Sequence, residues 1–332
     1  DTEADLVATR LVDANLAGHD SHGVVQLLAY VDRIRKGHLR PGATIEVLDE
    51  TNTTARVNGN WGFGYVVSTR AMELAIAKAQ KHGVAALSIF CQGHIGRLAT
   101  YPCMAAKEGM VGLVTSDSGR AAKGVAPFGG REARLGTNPL CIAVPSDLPG
   151  PVFIDMATSV VAEGKVNVAR QRGEQVPLGW LIDSQGNPTT DPKTPGAAIL
   201  PLGGNQGHKG YGLSFMIEIF AGLLTGLGFG VDPSGRHNDG VLMLVFRVDA
   251  FRPLADFKRD VGEFVKYIKS TPPAPGFKEV LYPGEPEWRA SQTRLKEGIF
   301  IEDATWQSLT RLMGELGVAD KKAGAGETIV IK

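Results

Sequence analysis

The chain has 332 residues, of which 43% are apolar, enough for a full hydrophobic core and one to three domains. It carries 35 Lys and Arg against 35 Asp and Glu, and this zero net charge gives no support for binding nucleic acid or an anionic membrane by bulk attraction. No apolar run reaches the roughly 18 residues that span a bilayer. The chain does not open with a charged segment followed by an apolar stretch, as an export signal does. We therefore expect a cytoplasmic protein that binds neither nucleic acid nor a membrane.

The apolar spacing of the first half predicts short strands between helices, which indicates a mixed α/β fold. A helical segment comes first, and Gly18 ends its first helix. The second helix is capped by Asp20 or Ser21, which places His22 in its first turn. In chain order the predicted elements are helices over 4–17, 24–34 and 68–81, a strand over 84–90, a helix over 95–108, and strands over 111–115, 140–144 and 152–155.

The second half continues the same alternation. The most apolar helix, over 209–224, is expected to lie at the centre of the core. The segment 173–204 is rich in Pro, Gly, Thr and Asp and is expected to form a long ordered loop or a domain crossing. The other predicted elements are a helix over 159–172, a strand over 241–248, a helix over 260–270, a short strand over 280–282 and a closing helix over 304–316.

Several common motifs are absent from the chain. It contains no G-x-G-x-x-G after a strand, no G-x-x-x-x-G-K-[ST], no H-E-x-x-H and no G-x-S-x-G. A Rossmann or P-loop nucleotide site is therefore unsupported, and the spacing of the histidines predicts no metal site. Glycine is abundant, with 42 residues in clusters, which indicates tight turns and close approach of a ligand to the backbone.

Two polar clusters contain histidines. In the first, Asp20 to Gly23, a helix N-terminus would lower the pKa of His22, and a neutral imidazole suits proton transfer between an alcohol and a ketone. The second, Gln92 to Arg97, contains His94 and follows the strand over 84–90, where α/β proteins bind ligands. Each also has a purely structural interpretation, as a capped turn and as a surface loop.

Three further clusters contain candidate binding groups. Asn138 precedes Pro139 and is expected to be extended, which would hold its amide firmly. The segment 155–159 ends a strand, and its free backbone N–H groups could bind phosphate. The segment 203–212 contains five glycines and places Lys209 at a helix start, where a bound anion would offset its charge. An ordinary turn, a cap and a flexible loop are the alternatives.

Together these clusters resemble the type-2 malate/L-lactate dehydrogenase family, which includes ureidoglycolate, 2,3-diketogulonate, sulfolactate and Δ1-piperideine-2-carboxylate enzymes. The resemblance covers nearly the whole chain, and the set of motifs is specific although no single one is. The matching stretches are GHDSHGV (18–24), LGTNPL (135–140), DMATS (155–159), GHKGYGL (207–213), IKSTPPAPG (268–276) and PGEP (283–286).

The resemblance implies a non-Rossmann, malate/L-lactate dehydrogenase-like fold with a mixed sheet in the cofactor domain and a helical N-terminal segment. It implies NAD or NADP as cofactor, a small carboxylic acid as substrate, and a homodimer with sites near the subunit interface. His22 and His94 would be the acid/base candidates, with Ser21 orienting His22, and Gln26, Tyr30 and Asn138 would line the substrate pocket. The implied cofactor contacts are Ser118, Asp155, Met156, Ala157, Thr158, His208, Lys209, Gly284, Glu285 and Pro286.

The chain departs from the family pattern at Gln26, where members usually have the arginine that holds the substrate carboxylate. Glutamine cannot form a charged, bidentate clamp, so Arg33, Arg97 or Arg120 supplies the charge or the substrate is not a simple 2-oxo acid. The expected reaction is hydride transfer between nicotinamide and C2 of a 2-hydroxy or 2-oxo acid. Reduction of a cyclic imine carboxylate and a catalytically inactive dinucleotide-binding protein are the alternatives.

We expect three segments along the chain. Residues 1–100 form an N-terminal helical, substrate-side segment and residues 101–255 form the central NAD(P)-binding domain. Residues 256–332 return to the first domain.

Overall fold

The computed structural model describes residues 2–117 and 119–318. Its α-helices and strands are α1 (Glu3–Leu16), α2 (Gln26–Arg35), β1 (Glu46–Glu50), β2 (Thr54–Gly62), α3 (Gly64–His82), β3 (Val84–Gln92), α4 (Thr100–Lys107), β4 (Met110–Asp117), β5 (Leu140–Val144), β6 (Val152–Met156), α5 (Glu163–Arg172), β7 (Leu181–Ile182), β8 (Pro188–Thr189), β9 (Ala198–Ile199), α6 (His208–Ile217), β10 (Gly240–Arg247), α7 (Leu254–Lys269), α8 (Glu285–Glu297) and α9 (Asp303–Glu315).

One seven-stranded mixed sheet organises these elements, in the order β1-β2-β3-β10-β4-β5-β6. Strands β2 and β3 are parallel and are joined through α3, while the other neighbouring pairs are antiparallel. A doubly wound Rossmann sheet is parallel, so this topology confirms the predicted α/β class with a mixed sheet of another kind. The predicted helical N-terminal segment is also confirmed, as α1 and α2.

The main core lies between this sheet and the helix α3. The small residues Ala71, Ala75 and Ala79 recur every fourth position of α3 and are buried, so the helix can lie close to the strands. Met243 on the central strand β10 is opposite Leu87 of β3, and both are fully buried. Burial of side chains of this size contributes about 1.5–3 kcal/mol each, so the sheet is a rigid base for the loops at its edges.

The sequence pattern did not reveal β1 and β2. All five residues of β1 are exposed, so it has no alternation of buried and exposed positions. Its three acidic residues, Glu46, Asp49 and Glu50, are typical of an edge strand that avoids pairing with another chain. In the segment 173–204, predicted as a loop, the strands β7, β8 and β9 form a second, three-stranded sheet.

The apolar helix predicted over 209–224 differs most from its expectation. It starts at His208 as α6 and continues from Glu218 as a π-helical turn. Its placement at the centre of the core is wrong, because a row of large apolar side chains on it is exposed: Leu213, Phe215, Met216, Leu223 and Leu224. Composition alone does not distinguish a core helix from a surface helix with an open apolar face.

The predicted boundaries of several other elements also differ from those of the structure. The helices predicted from 95 and from 159 begin only at Thr100 and at Glu163, because the residues before them form irregular segments. The helix predicted from 260 begins earlier, at Leu254, and the strand predicted over 280–282 does not form. None of the helices formed by residues 2–117 and 119–318 combines the length and apolar character that crossing a bilayer requires. The division at residues 100 and 255 stays a prediction.

Candidate active site

Two imidazoles lie face to face near the carboxyl end of β3. His94 follows that strand, and His22 belongs to a 3-10 turn between α1 and α2, Asp20–His22. Their ring centroids are 5.6 Å apart and their planes differ by 23°. The fold therefore brings together the two histidines that the sequence singled out, although they lie far apart along the chain.

The turn that carries His22 is fixed by its neighbours. Asn15 donates from Nδ2 to Asp20 (2.7 Å) and accepts at Oδ1 from the backbone of Val24 (2.9 Å). Arg294 from α8 contacts both carboxylate oxygens of Asp20, at 2.6 and 3.1 Å. A side chain on Gly23 would collide with Asn15, which explains the glycine. The prediction that His22 occupies the first turn of a helix is wrong, because these contacts hold a tight turn ahead of α2.

The groups around His22 orient its ring. Ser21 Oγ lies 3.1 Å from His22 Nδ1, which leaves Nε2 without a hydrogen bond among the described residues. Gln26 donates from Nε2 to the carbonyl of Ser21 (2.7 Å), and Tyr65 donates to the carbonyl of His22 (3.3 Å). One N–H of the Gln26 amide therefore holds the turn.

His94 is held from the side by Tyr30. The hydroxyl oxygen of Tyr30, a buried residue of α2, lies 2.8 Å from Nδ1 of His94. Burial raises the pKa of Tyr30 well above its usual value, so the phenol remains protonated. The phenol oxygen can accept from Nδ1–H both in the imidazolium and in the neutral tautomer whose Nε2 is unprotonated, so this contact suits both protonation states of His94.

A second pair of residues, His237 and Asp239, was missed by sequence reasoning. The ring centroid of His237 is 5.9 Å from that of His94, in an edge-to-face arrangement. His237 Nε2 lies 2.7 Å from Asp239 Oδ1, but the geometry of this close contact is not that of a directed hydrogen bond. Asp239 also accepts from the backbone N–H of Ile95 at 2.9 Å, which fixes the loop that carries His94.

The topology explains why this pair was missed. His237 and Asp239 precede β10, and ligands in parallel α/β sheets lie at the opposite, carboxyl ends of strands. Because β10 runs antiparallel to β3, its start pairs with the end of β3, with Val241 opposite Ile89. The polar run Arg236 to Asp239 in front of an apolar strand was the available signal, and it becomes informative only once the strand direction is known.

Both central imidazoles are neutral at pH 7. Burial lowers the pKa of His22 to about 4, and the charges of His19 and Arg97 act in the same direction. Burial lowers the pKa of His94 to about 3. The fall in the pKa of His22 was predicted, but its main cause is burial and not a helix terminus.

The charge of Asp239 opposes the lowering of the two pKa values by burial, because it favours the imidazolium forms of His22 and His94. Burial on its own would raise the pKa of Asp239, but His237 and the N–H of Ile95 outweigh it, so the net shift is downward. The charge of this one buried carboxylate therefore partly offsets the effect of burial on both imidazoles.

The segment 155–158 connects the imidazoles with the glycine-rich corner. Asp155 accepts from the backbone N–H of Ala99 (2.8 Å), just after the His94 loop. Thr158 donates to the carbonyl of Asn138 (2.9 Å) and accepts at its own carbonyl from Leu202 N (2.9 Å). Between Asp155 and Thr158, Met156 and Ala157 are half-buried. A side chain on Gly164, just beyond, would come within 3.1 Å of Ser21 Cβ, so this region also packs on the His22 turn.

Asn138 is buried, but not in the extended conformation predicted from Pro139. Its φ of 39° lies in the left-handed region, a strained state that asparagine tolerates better than most residues. Its Nδ2 donates to Ser214 O (3.1 Å) and to Glu218 Oε2 (2.9 Å), and Glu218 is paired with the buried Lys123 at 3.1 Å. The amide is held as predicted, but by α6 and its π-helical continuation. Its Oδ1 is buried and has no partner among the described residues.

The predicted anion cradle lies at the start of α6. His208 and Lys209 are exposed, and Lys209 forms no ion pair with the described residues. The N-terminus of α6 has no side-chain cap, so its first backbone N–H groups are available. A side chain on Gly210 would collide with the carbonyl oxygen of Leu202, so glycine is required for this close approach. These features fit a phosphate group, which prefers free N–H groups and a nearby cation.

The segment 284–286 lies against β6, at the far side of this region. A side chain on Gly284, whose φ is 96°, would collide with the carbonyl of Pro151. The carboxylate of Glu285 is buried and paired with Lys269 (2.7 Å) and Arg289 (2.6 Å), so its oxygens already have partners in the protein. Pro286 is in the first turn of α8. Ser118, another predicted contact, lies outside the described residues.

A separate cavity of about 470 Å³ opens beside the cradle. It is lined by Phe128, Arg131 and several glycines, including Gly204 and Gly207, but not by His22 or His94. The ring of His208 lies edge-to-face with Phe128, at 5.7 Å. The two imidazoles of the candidate site therefore lie outside this cavity. Within the described ranges, no three His, Cys, Asp or Glu side chains group as metal ligands.

Comparison with known proteins gives a consistent picture. The chain is 40% identical to the malate/(S)-sulfolactate dehydrogenase of Methanothermus fervidus over 322 residues, or 95% of this chain and 91% of that protein. Its fold matches malate dehydrogenase from Entamoeba histolytica with a TM-score of 0.90, at 33% identity and over 96% and 92% of the two chains. It matches Δ1-piperideine-2-carboxylate reductase from Pseudomonas syringae with a TM-score of 0.78, at 29% identity and over 93% and 92%.

The sequence profile of the malate/L-lactate dehydrogenases matches residues 1–310, nearly the full length. Since the profile, the relatives and the fold agree over almost the whole chain, the protein belongs to the malate/L-lactate dehydrogenase family of oxidoreductases.

Proposed function

We propose that the protein is an NAD(P)-dependent dehydrogenase acting at C2 of a small 2-hydroxy or 2-oxo carboxylic acid. The observation that carries this proposal is the neutral His94 imidazole, held through Nδ1 by Tyr30 at 2.8 Å. Its Nε2 has no hydrogen bond with the described residues and faces a site that also contains His22. A neutral imidazole with one free nitrogen is the group that alcohol oxidation requires as a base.

His94 is the acid/base group in this proposal, and His22 with Ser21 lines the same site. In oxidation, His94 Nε2 accepts the hydroxyl proton, and in reduction it returns that proton to the carbonyl oxygen. Tyr30 stabilises the imidazolium by accepting from Nδ1, and Asp239 stabilises its charge. Ser21 keeps the His22 ring in place through Nδ1, so that His22 can present Nε2 to the substrate oxygen.

The cofactor site is proposed to comprise the segment 155–158, the start of α6 and the segment 284–286. A nicotinamide cofactor, when bound, supplies or accepts the hydride. The uncapped N-terminus of α6, with Lys209 beside it, is suited to hold the pyrophosphate. Thr158 and Asp155 hold the intervening backbone firmly through their bonds to Asn138 and Ala99.

Relatives named for malate, lactate and sulfolactate support the 2-hydroxy acid class, since all three substrates carry a carboxylate beside the reacting carbon. A second candidate is reduction of a cyclic imine carboxylate, favoured by the likeness to the piperideine carboxylate reductase. Gln26 is relevant to both, because it replaces the arginine that members of the family usually have at this position.

Steady-state assays with NADH and NADPH test the proposal. The substrate panel is pyruvate, oxaloacetate, sulfopyruvate and Δ1-piperideine-2-carboxylate. We expect oxidation of one coenzyme with at least one oxo acid and a lower rate with the imine. Turnover of the imine alone would favour the second candidate, and binding of NADH without turnover across the panel would contradict both.

We also propose a homodimer that covers the exposed apolar face of α6 and its continuation. Leu213, Phe215, Met216 and Leu223 would otherwise leave large apolar side chains exposed to water. Light scattering should give twice the chain mass, and Phe215→Glu should shift it toward the monomer. A monomeric wild type at micromolar concentration would contradict this part of the proposal.

A further inference from the structure

We propose that Arg33 is the residue that binds the substrate carboxylate, as an unpaired guanidinium two helical turns beyond Gln26. This inference rests on the proposed function, because it assumes a carboxylate substrate beside His94. It concerns the anchor for that carboxylate and not the acid/base chemistry.

The placement of Arg33 follows from helix geometry. Gln26, Tyr30 and Arg33 recur at spacings of four and three residues on α2, so they share one face of the helix. Side chains on a helix lean toward its N-terminus, so the guanidinium of Arg33 extends back toward Tyr30, whose hydroxyl contacts His94. Burial dominates the pKa shifts of Tyr30 and His94, but the positive charge of Arg33 lowers both, which requires it to be close to them.

Arg33 lacks the partners that its surroundings demand. Its Nη1 is buried and has no hydrogen bond, and no ion pair joins its side chain to the described residues. A buried donor on a charged group is costly to leave unsatisfied, and a guanidinium is shaped to bind a carboxylate with two parallel hydrogen bonds. An anion bound at this point removes the cost.

The other arginines of the region are already engaged. Arg97 lies over the ring of Phe153, at 5.1 Å, and its charge acts on the carboxylates of Asp155 and Glu287. Arg236 is stacked on Trp61 at 3.4 Å and donates to the carbonyl of His38.

Two further candidates are excluded by their own contacts. Arg120 is exposed and donates to the carbonyl of Val231. Gln26 is uncharged, and one N–H of its amide already donates to the carbonyl of Ser21. Arg33 combines a buried Nη1 that has no partner among the described residues with a charge that acts on Tyr30 and His94. Arg97 also has a buried Nε without such a partner, but its charge acts on His22 and on the carboxylates of Asp155 and Glu287.

Binding of the substrate carboxylate by Arg33 would also couple substrate binding to proton transfer at His94. While Arg33 is unpaired, its charge disfavours the imidazolium form of His94. A carboxylate on Arg33 neutralises that charge, so His94 takes up a proton more readily once the substrate is bound. The acid form needed for reduction is then favoured in the complex over the free enzyme.

The test compares a 2-oxo acid with its uncharged amide, for example pyruvate with pyruvamide, in the intact enzyme with its preferred coenzyme. Arg33→Gln should lower kcat/KM for the acid about 100-fold or more, the usual effect of truncating a buried, paired charge, while kcat/KM for the amide changes less than about threefold. Arg33→Lys should fall between, because it keeps the charge but not the bidentate geometry. The matched control is Arg35→Gln, since Arg35 lies on the outer face of α2 and pairs with the exposed Glu315 at 3.0 Å.

Equal losses for acid and amide in Arg33→Gln, or no loss for either, would overturn the inference. A calorimetric titration with oxamate does not require turnover, and it keeps the test informative if no oxo acid is reduced and the proposed function fails. In the presence of NADH, binding of oxamate should be lost in Arg33→Gln and kept in Arg35→Gln. Retained binding in Arg33→Gln contradicts the role of Arg33 whatever the reaction is.

Discussion

The Tyr30 hydroxyl and His94 Nδ1 are 2.8 Å apart, and this contact determines which nitrogen of the imidazole is free. Tyr30 comes from a helix and His94 from the loop after the third strand, so the contact joins two units of the fold. Because the phenol is buried, it keeps its proton, and its oxygen can accept from Nδ1–H in the neutral tautomer that leaves the Nε2 lone pair free. The free Nε2 is therefore the atom at which a proton can move.

Removing the imidazole should abolish most of the turnover. We expect His94→Gln to lower kcat about 10²–10⁴-fold, the usual contribution of a positioned acid/base group. Tyr30→Phe should lower kcat about tenfold, because it removes one hydrogen bond and leaves the ring in place. The measurement is steady-state kinetics together with NADH fluorescence titration, which should give an unchanged Kd for all variants. A larger loss in His22→Gln than in His94→Gln would transfer the acid/base role to His22.

Neutralising Asp239 should change the two directions of the reaction differently. Asp239→Asn keeps an oxygen for the N–H of Ile95 but loses the charge that supports the imidazolium, so the pKa of His94 should fall. Reduction requires the acid form and should slow at neutral pH, while oxidation requires the base form and should persist to lower pH. His22, His237, Arg33 and Tyr30 also face His94 and are unchanged.

The measurement for Asp239→Asn is the pH profile of kcat/KM in both directions. Asp249→Asn is the control, because this carboxylate is at the far end of β10, in an exposed pair with Arg247. Parallel losses in both directions with no shift of either profile would mean that Asp239 acts only on the fold of the loop.

Acid should destabilise the protein through the same histidine. In the folded state His94 stays neutral down to a pKa of about 3, whereas the unfolded chain protonates it below its ordinary pKa of 6.5. The unfolded state therefore binds more protons in this window, and stability falls as the pH falls, by roughly 1.5–2 kcal/mol between pH 6.5 and 5. Urea unfolding should show a smaller loss over this range in His94→Gln, and an identical slope in both proteins would refute the assignment.

The elements that sequence reasoning placed well are those with a strong local signal. The helix α3 ends at Gly83, whose φ of 86° requires glycine, and β5 has the predicted bounds. The exposed, charged strand β1 has no such pattern and was missed. The exposure of the apolar face of α6 could not be predicted from the sequence either. Whether Phe215 is covered depends on what packs against it and not on its neighbours in sequence.

For the candidate site, resemblance and local chemistry predicted His22, His94 and Tyr30, but not His237 and Asp239, which lie beside His94. His237 and Asp239 precede a strand that runs antiparallel to β3, and no local pattern gives a strand its direction. The left-handed φ of Asn138 was hidden for a related reason. Its amide is held by Ser214 and Glu218, and these long-range contacts override the usual preference of a residue before proline.

Two glycines of α6 provide a matched test of the cofactor cradle. A methyl group on Gly210 would meet the carbonyl oxygen of Leu202, whose own N–H is bonded to Thr158, so Gly210→Ala must displace the start of the helix. We expect a loss of about 2–4 kcal/mol of stability and a weaker Kd for NADH. Gly212 has nothing within 4 Å of an added Cβ, so Gly212→Ala should be neutral or stabilise the helix by up to about 1 kcal/mol. Thermal unfolding and NADH titration of both variants make the comparison, and equal Kd values in the two would place the pyrophosphate elsewhere.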